Sequence, residues 1–158
     1  EAYREAVRAL RERVSPLGLS TDIIVGFPGE RDEDFERTLS LARACAFTRL
    51  HVFRFSPRAG TVAATLPDPV PPRVAQARSE RLIALGREMS AAFHGQFAGA
   101  EVEALLESAT RRDGAQVWAG LSNCYVRVEA ESEQALANRF VRVRALAADA
   151  EGLRGVIA

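Results

Sequence analysis

The chain has 158 residues, 47% of them hydrophobic and 27% charged, with a formal net charge of zero. This is enough for one ordinary domain or two small ones and excludes a disordered tail, while no apolar run is long enough to cross a bilayer. Zero net charge removes any global electrostatic argument for nucleic acid, and the lack of a signal-peptide pattern makes the cytoplasm the expected location. All 21 basic residues are arginine and alanine is abundant, a pairing that points to a GC-rich genome rather than to a function. Cys45 and Cys124 lie far apart, with no Cys or His neighbours at ligand spacing. They are expected to be buried or incidental thiols, and His51 and His94 are equally isolated.

Glu1 takes the place of a methionine and already sits in a helical pattern, which suggests a fragment. Tyr3, Val7 and Leu10 recur at helical spacing up to about Val14, and Ser15-Pro16 with Gly18 ends the helix. Thr21 to Val25 reads as a short buried strand closed by Gly26-Phe27-Pro28-Gly29. A helix follows from about Asp32 to Ala46, with Phe35, Leu39, Ala42 and Ala46 as its inner stripe. Its first turn carries Asp32, Glu33, Asp34 and Glu36, where the helix dipole favours negative charge. Arg49 to Phe55 is a second strand, and two strands joined by a helix imply a parallel pair.

Ser56 to Pro72 is a proline-rich loop, and Pro72 suits the first turn of a helix running to about Phe97. Leu82, Leu85, Met89 and Phe93 give that helix one apolar face. Near Ala100 the pattern changes to five short strands: 102–106, 116–119, 125–128, 140–146 and 152–157. Asp113-Gly114 is a hairpin turn signal. Five strands in so short a stretch suggest a small barrel of the OB type. The expected organisation is α/β over 1–71, a linking helix over 72–98 and a β-barrel over 99–158.

Two segments carry a chemical signal. In Thr21 to Glu30 a strand delivers its C-terminal end to a glycine-rich turn, the end at which α/β sheets bind ligands. In Leu50 to Thr61 the adjacent strand places Phe53 and Phe55 on one face, with Ser56 and Arg58 just beyond its end. An aromatic pair there could flank an adenine. From the residues alone, a tight turn without ligand and ordinary core packing remain open.

Together, Asp22-Ile23-Ile24-Val25-Gly26-Phe27-Pro28-Gly29-Glu30 and Phe53-x-Phe55-Ser56-Pro57-Arg58-x-Gly60-Thr61 resemble the radical-SAM methylthiotransferases that modify adenosine beside the tRNA anticodon. The spacing between the two strings fits that family as well. Arg31, Phe55 and Ala59 depart from it, standing where threonine, tyrosine and proline are common. His51-Val52-Phe53, Pro67-Asp68 with Val70, and Arg78-Ser79-x-Arg81-Leu82 resemble the branch acting on threonylcarbamoyladenosine. The isopentenyladenosine branch is the nearest alternative. The resemblance implies that the two strands close a partial TIM-like (β/α) barrel. It also implies that Ile24, Val25, Gly26, Phe53, Phe55, Ser56 and Arg58 hold S-adenosylmethionine, with backbone groups near Phe53–Phe55 on the adenine edge.

Gly120 to Val128 resembles the central strand of a TRAM domain, the small barrel that binds tRNA in these enzymes. Asn123 and Cys124 stand where an acidic residue and asparagine are usual. The RNA-binding candidates are Arg111 and Arg112, placed in the turn beside Asp113, together with Tyr125, Arg127, Arg142 and Arg144. Residues 99–158 carry seven arginines against nine acids, so weak RNA affinity is expected of this part alone.

The family also implies two 4Fe–4S clusters, but no CxxxCxxC triplet is present. The chain as given is therefore expected to be catalytically inactive and to lack the N-terminal half of its enzyme. Two parallel strands with open edges are expected to self-associate or to leave the first half disordered. A stand-alone RNA-binding module and a small nucleotide-binding protein are the alternative functional readings.

Overall fold

The computed structural model describes residues 1–158. They form two compact units, 1–15 with 19–89 and 16–18 with 90–158.

The first unit holds the helix α1 (Ala2–Arg13), the strand β1 (Ser20–Val25), the helix α2 (Asp32–Cys45), the strand β2 (Arg49–Arg54) and most of the helix α3 (Pro72–Gly95). A short 3-10 turn, Val62–Thr65, interrupts the proline-rich loop. The two strands pair in parallel and in register, with Ile23 opposite Val52 and Ile24 opposite Phe53. One face of this pair, carrying Val25, Ile23, Leu50 and Val52, packs on Phe35, Leu39, Leu82 and Leu85 from α2 and α3. The other face is open. Ile24 is 55% and Phe53 52% exposed, so the expected fully buried strand is buried on one side only.

Helix ends explain the remaining departures from the sequence reading. The inner stripe of α2 is Phe35, Leu39, Ala42 and Cys45. Ala46 instead becomes the C-cap, in the left-handed region at φ 46°. Arg11 of α1 donates to the Cys45 and Ala46 carbonyls there, satisfying acceptors that a helix end leaves unpaired. Val7 is the buried residue of α1, while Tyr3 and Leu10 of its expected stripe stay exposed. At the other end of α2 Arg31 is the N-cap, and its N–H donates to Asp34 Oδ2 at 3.2 Å. Asp34 thus supplies the acidic half of a capping box. Asp32 lies inside the first turn of the helix and pairs with Arg78.

The second unit is a closed five-stranded barrel. Its strands are β3 (Glu101–Arg112), β4 (Ala115–Ser122), β5 (Arg127–Glu131), β6 (Arg139–Asp149) and β7 (Gly152–Ile157), in the order β3-β4-β5-β7-β6. All neighbours are antiparallel except β5 and β7. The turn Asp113-Gly114, with φ 52° and 86°, joins β3 to β4 as its sequence predicts. Inward residues alternate along each strand, and Val102, Ala104, Leu106, Trp118, Val128, Val143, Ala145 and Leu153 fill the interior with Phe93 from the end of α3. The buried Trp118 indole N–H is satisfied by the Ser132 carbonyl at 3.1 Å. His94 Nδ1 donates to the Asp149 carbonyl at 2.6 Å.

Gly120 marks the tightest strand approach: a Cβ built there would lie 1.8 Å from the Leu105 carbonyl oxygen. Gly120→Ala should therefore destabilise the barrel by about 1–3 kcal/mol, the usual range for overpacking. The emission of Trp118, followed through urea denaturation, reports this directly.

Candidate functional site

β1 and β2 end together at a cavity of about 640 Å³, within the range of small-molecule sites. Its walls include Gly26 and Pro28 from the loop after β1, Phe53, Phe55 and Ser56 from β2 and its exit, and Pro72 and Ala75 from the first turn of α3. The Phe55 N–H donates to the Val25 carbonyl at 2.8 Å, carrying the ladder one step past β2. In a parallel strand, alternate residues turn their backbone groups to opposite edges. With Phe55 bonded to β1, the peptide groups of Arg54 face the unpaired edge. Phe27 meets Phe55 edge-on, with ring centroids 5.0 Å apart.

The loop from Gly26 to Glu30 is held by one carboxylate. Glu30 Oε2 accepts the Gly26 N–H at 2.7 Å and an Arg78 guanidinium N–H at 2.7 Å. Arg78 also donates to the Glu30 carbonyl at 3.1 Å and to Asp32 Oδ1 at 2.7 Å. Arg78 is only 6% exposed. Burial works against its charge, but the hydrogen bonds it donates to Asp32 and Glu30 outweigh that, so its pKa is raised. The guanidinium carbon also lies 5.6 Å from the centre of the Phe35 ring. Gly26 sits at φ 74°, and a Cβ there would come within 2.7 Å of the Ala75 Cβ. Glycine is thus needed at this position both for its backbone angle and for its contact with α3.

The expected cofactor residues divide. Gly26, Phe53, Phe55 and Ser56 line the cavity. Ile24 lies beside Phe53 on the open sheet face. Val25 does not contribute a side chain to the pocket: strand alternation turns it into the core, where it is fully buried. Arg58 lies outside the lining, and its carbonyl accepts from the Thr61 hydroxyl at 2.8 Å. Sequence reasoning missed the Glu30–Arg78 pair. The readable signal was an arginine on the buried stripe of α3, spaced with Ala75, Leu82 and Leu85.

On the barrel, four of the six RNA-binding candidates already have anionic partners. Arg111 faces Glu133 at 4.0 Å, Arg112 and Arg127 both bind Glu129 at 3.2 and 3.0 Å, and Arg144 pairs with Glu101 at 3.0 Å. Arg111 and Arg112 close β3 rather than forming the turn. Tyr125 is not a strand residue: it sits at φ 58° in the turn between β4 and β5, its ring 79% exposed. Ser122 builds that turn, its hydroxyl accepting the N–H groups of Cys124 and Val126 at 3.3 and 3.2 Å. The Cys124 thiol is buried, and burial raises its pKa, so it is not a thiolate nucleophile.

No protein-family model matches the chain. The chain is similar to part of tRNA-2-methylthio-N(6)-dimethylallyladenosine synthase. It is 46% identical to the synthase of Bacillus subtilis over 113 residues, covering 72% of this chain and 22% of that protein. Against the synthase of Corynebacterium urealyticum it is 44% identical over 107 residues, covering 68% of this chain and 20% of the relative. Against that of Moorella thermoacetica it is 41% identical over 117 residues, covering 74% and 26%. The chain thus spans about a fifth to a quarter of the length of these synthases. Their name carries a dimethylallyl group. It agrees with the isopentenyladenosine alternative and not with the threonylcarbamoyl branch that the sequence strings placed first.

Arg78→Met leaves the Glu30 carboxylate buried without its cation, which should cost the first unit about 3 kcal/mol or more. The Gly26 amide should lose hydrogen-exchange protection, and Arg78→Lys should restore part of it. In the barrel, burial alone would raise the Glu129 carboxyl, but Arg127 and Arg112 hold it below its ordinary value of 4.5. A lowered folded pKa gives stability that is complete above that value and lost as pH falls through the shifted one. Chemical denaturation followed at Trp118 should therefore show the barrel weakening below about pH 4.5, with a smaller pH dependence in Glu129→Gln.

Proposed function

We propose that this chain is the C-terminal part of a radical-SAM methylthiotransferase that adds a methylthio group to an N6-isopentenylated (dimethylallyl) adenosine beside the tRNA anticodon. In this reading the first unit is the end of a partial TIM-like barrel, and the second is a TRAM-type barrel that contacts the tRNA anticodon stem-loop. The observation that carries it is the in-register pairing of Ile24 with Phe53 on an exposed sheet face, next to a cavity at the C-terminal ends of both strands. Similarity to the dimethylallyladenosine synthases supports this substrate over threonylcarbamoyladenosine. The exposed face fits the preceding part of the same enzyme as its cover. A partial barrel needs further strands at both open edges.

The cavity fits a nucleoside cofactor. Phe53 offers an exposed aromatic face, Phe55 and Ser56 line the opening, and the Gly26 backbone is held in place by Glu30. These residues would hold S-adenosylmethionine, which when bound to a cluster supplies the radical chemistry of the family. The chain's residues do not fit a 4Fe–4S cluster. It has two cysteines, both buried and far apart, and no group of three or more metal-ligating side chains. In this reading the chain by itself is inactive; what it contributes is one pocket wall and a tRNA contact.

Restoring the full-length coding sequence in cells lacking the modification tests the substrate. Nucleoside mass spectrometry should show the methylthio group on isopentenyladenosine, and its appearance on threonylcarbamoyladenosine would reverse that assignment. In the isolated chain, S-adenosylmethionine should shift the amide resonances of Gly26, Phe53, Phe55 and Ser56.

A further inference from the structure

Gly26 gives the cavity a wall of bare main chain, so a ligand there meets a peptide group rather than a side chain. The position of that peptide is set by what holds the turn. The Glu30 N–H donates to the Phe27 carbonyl at 2.9 Å, closing the turn on itself, and the Gly29 N–H donates to the Asp68 carbonyl at 2.8 Å. The remaining holds come from α3. Ala75 and Arg78 are three residues apart, and so share one face of that helix. Ala75 stands against the Cα of Gly26 and leaves no room for a Cβ.

Arg78 grips Glu30 twice. Its Nη1 donates to the carboxylate at 2.7 Å and to the main-chain carbonyl at 3.1 Å. The same Oε2 accepts the Gly26 N–H. A chain of bonds therefore runs from α3, through one carboxylate oxygen, to an amide on the cavity wall. The second carboxylate of the cluster is different: the Asp32 side chain is 93% exposed, against 12% for Glu30, and an exposed partner adds little. Arg81, one turn further along α3, provides a contrast. It pairs with Glu36 at 2.7 Å and lies 5.0 Å from the centre of the Phe35 ring, tying α3 to α2 without touching the turn.

Resting on the reading of the cavity as a nucleoside cofactor site, we propose that Arg78 is a positioning residue for that cofactor. Arg78 is not in the cavity lining. It acts through Glu30, holding the Gly26 peptide in the geometry that binds, and so sets the affinity for S-adenosylmethionine. Without it the turn spends part of its time elsewhere, and apparent affinity falls in proportion to the competent fraction.

The test is titration of the whole chain with S-adenosylmethionine, read at the Phe53 and Phe55 amides. Hydrogen exchange at Gly26 and the denaturation midpoint are measured for each variant. Arg78→Met should raise Kd about tenfold, the result of a turn that is competent a tenth of the time. Arg78→Lys keeps a cation but not the planar fork, and should recover part of that loss, leaving Kd about threefold above wild type. It carries the test should Arg78→Met fail to fold. Asp32→Asn should change Kd by less than about twofold. Arg81→Met should lower the denaturation midpoint and leave Kd unchanged. By linkage, saturating ligand should slow exchange of the Gly26 amide in the wild-type chain. Wild-type affinity in the Arg78 variants overturns the proposal and leaves the cofactor site standing. So does an affinity loss that merely tracks stability in Arg78 and Arg81 variants alike. No shift at Phe53 or Phe55 in the wild-type chain overturns the cofactor site and the proposal together.

Discussion

The Glu30 carboxylate is the point on which the first unit turns. It takes the Gly26 N–H on one side and the Arg78 guanidinium on the other. One acceptor thereby fixes both the loop that leaves β1 and the helix that walls the cavity. The loop needs such a clamp because Gly26 and Gly29 both adopt positive φ, an entropically costly choice for the freest residue in the chain. A buried ion pair gains little net stability over apolar packing, but it is severe on any change that strands one partner. Its contribution here is to shape: the main chain at Gly26 has one allowed path, set by the carboxylate at its N–H and by Ala75 against its Cα.

From that constraint the rest of the cavity follows. Strand alternation sends Val25 into the core and leaves Ile24 outside, so the pocket wall is built from the loop glycine, the β2 aromatics and the first turn of α3. The half-exposed Ile24 and Phe53 are a cost in an isolated unit. In the proposed enzyme they become the interior of a larger barrel, which accounts for apolar side chains on what would otherwise be a solvent face.

The barrel arranges its charge largely in pairs. Its seven arginines and nine acids sum to a slightly acidic unit, which argues against any broad electrostatic attraction for RNA. Pairing changes the question from how many arginines there are to which ones remain free. Glu129 alone binds both Arg112 and Arg127, and Arg142 lies opposite Glu103 in the register of β6 and β3.

Periodicity and turn chemistry determined the element order, the parallel strand pair, the apolar face of α3, the Asp113-Gly114 hairpin and a five-stranded second half. These are local properties: alternation, helical spacing and positive-φ residues are written within a few positions of each other. The two motif strings also located the cavity, because the C-terminal ends of parallel strands are where such sites form. Only the tertiary structure decided which face of β1 and β2 was covered, since an apolar strand reads the same whether one side or both are buried. It also decided that Glu30 and Arg78, 48 positions apart, share a bond, that Arg31 caps α2 with Asp34 as its capping-box partner, and that Tyr125 leaves its strand for a turn. Which arginines are already neutralised was likewise invisible in the sequence, because ion pairing depends on strands brought together by barrel closure, and no local pattern encodes that distance.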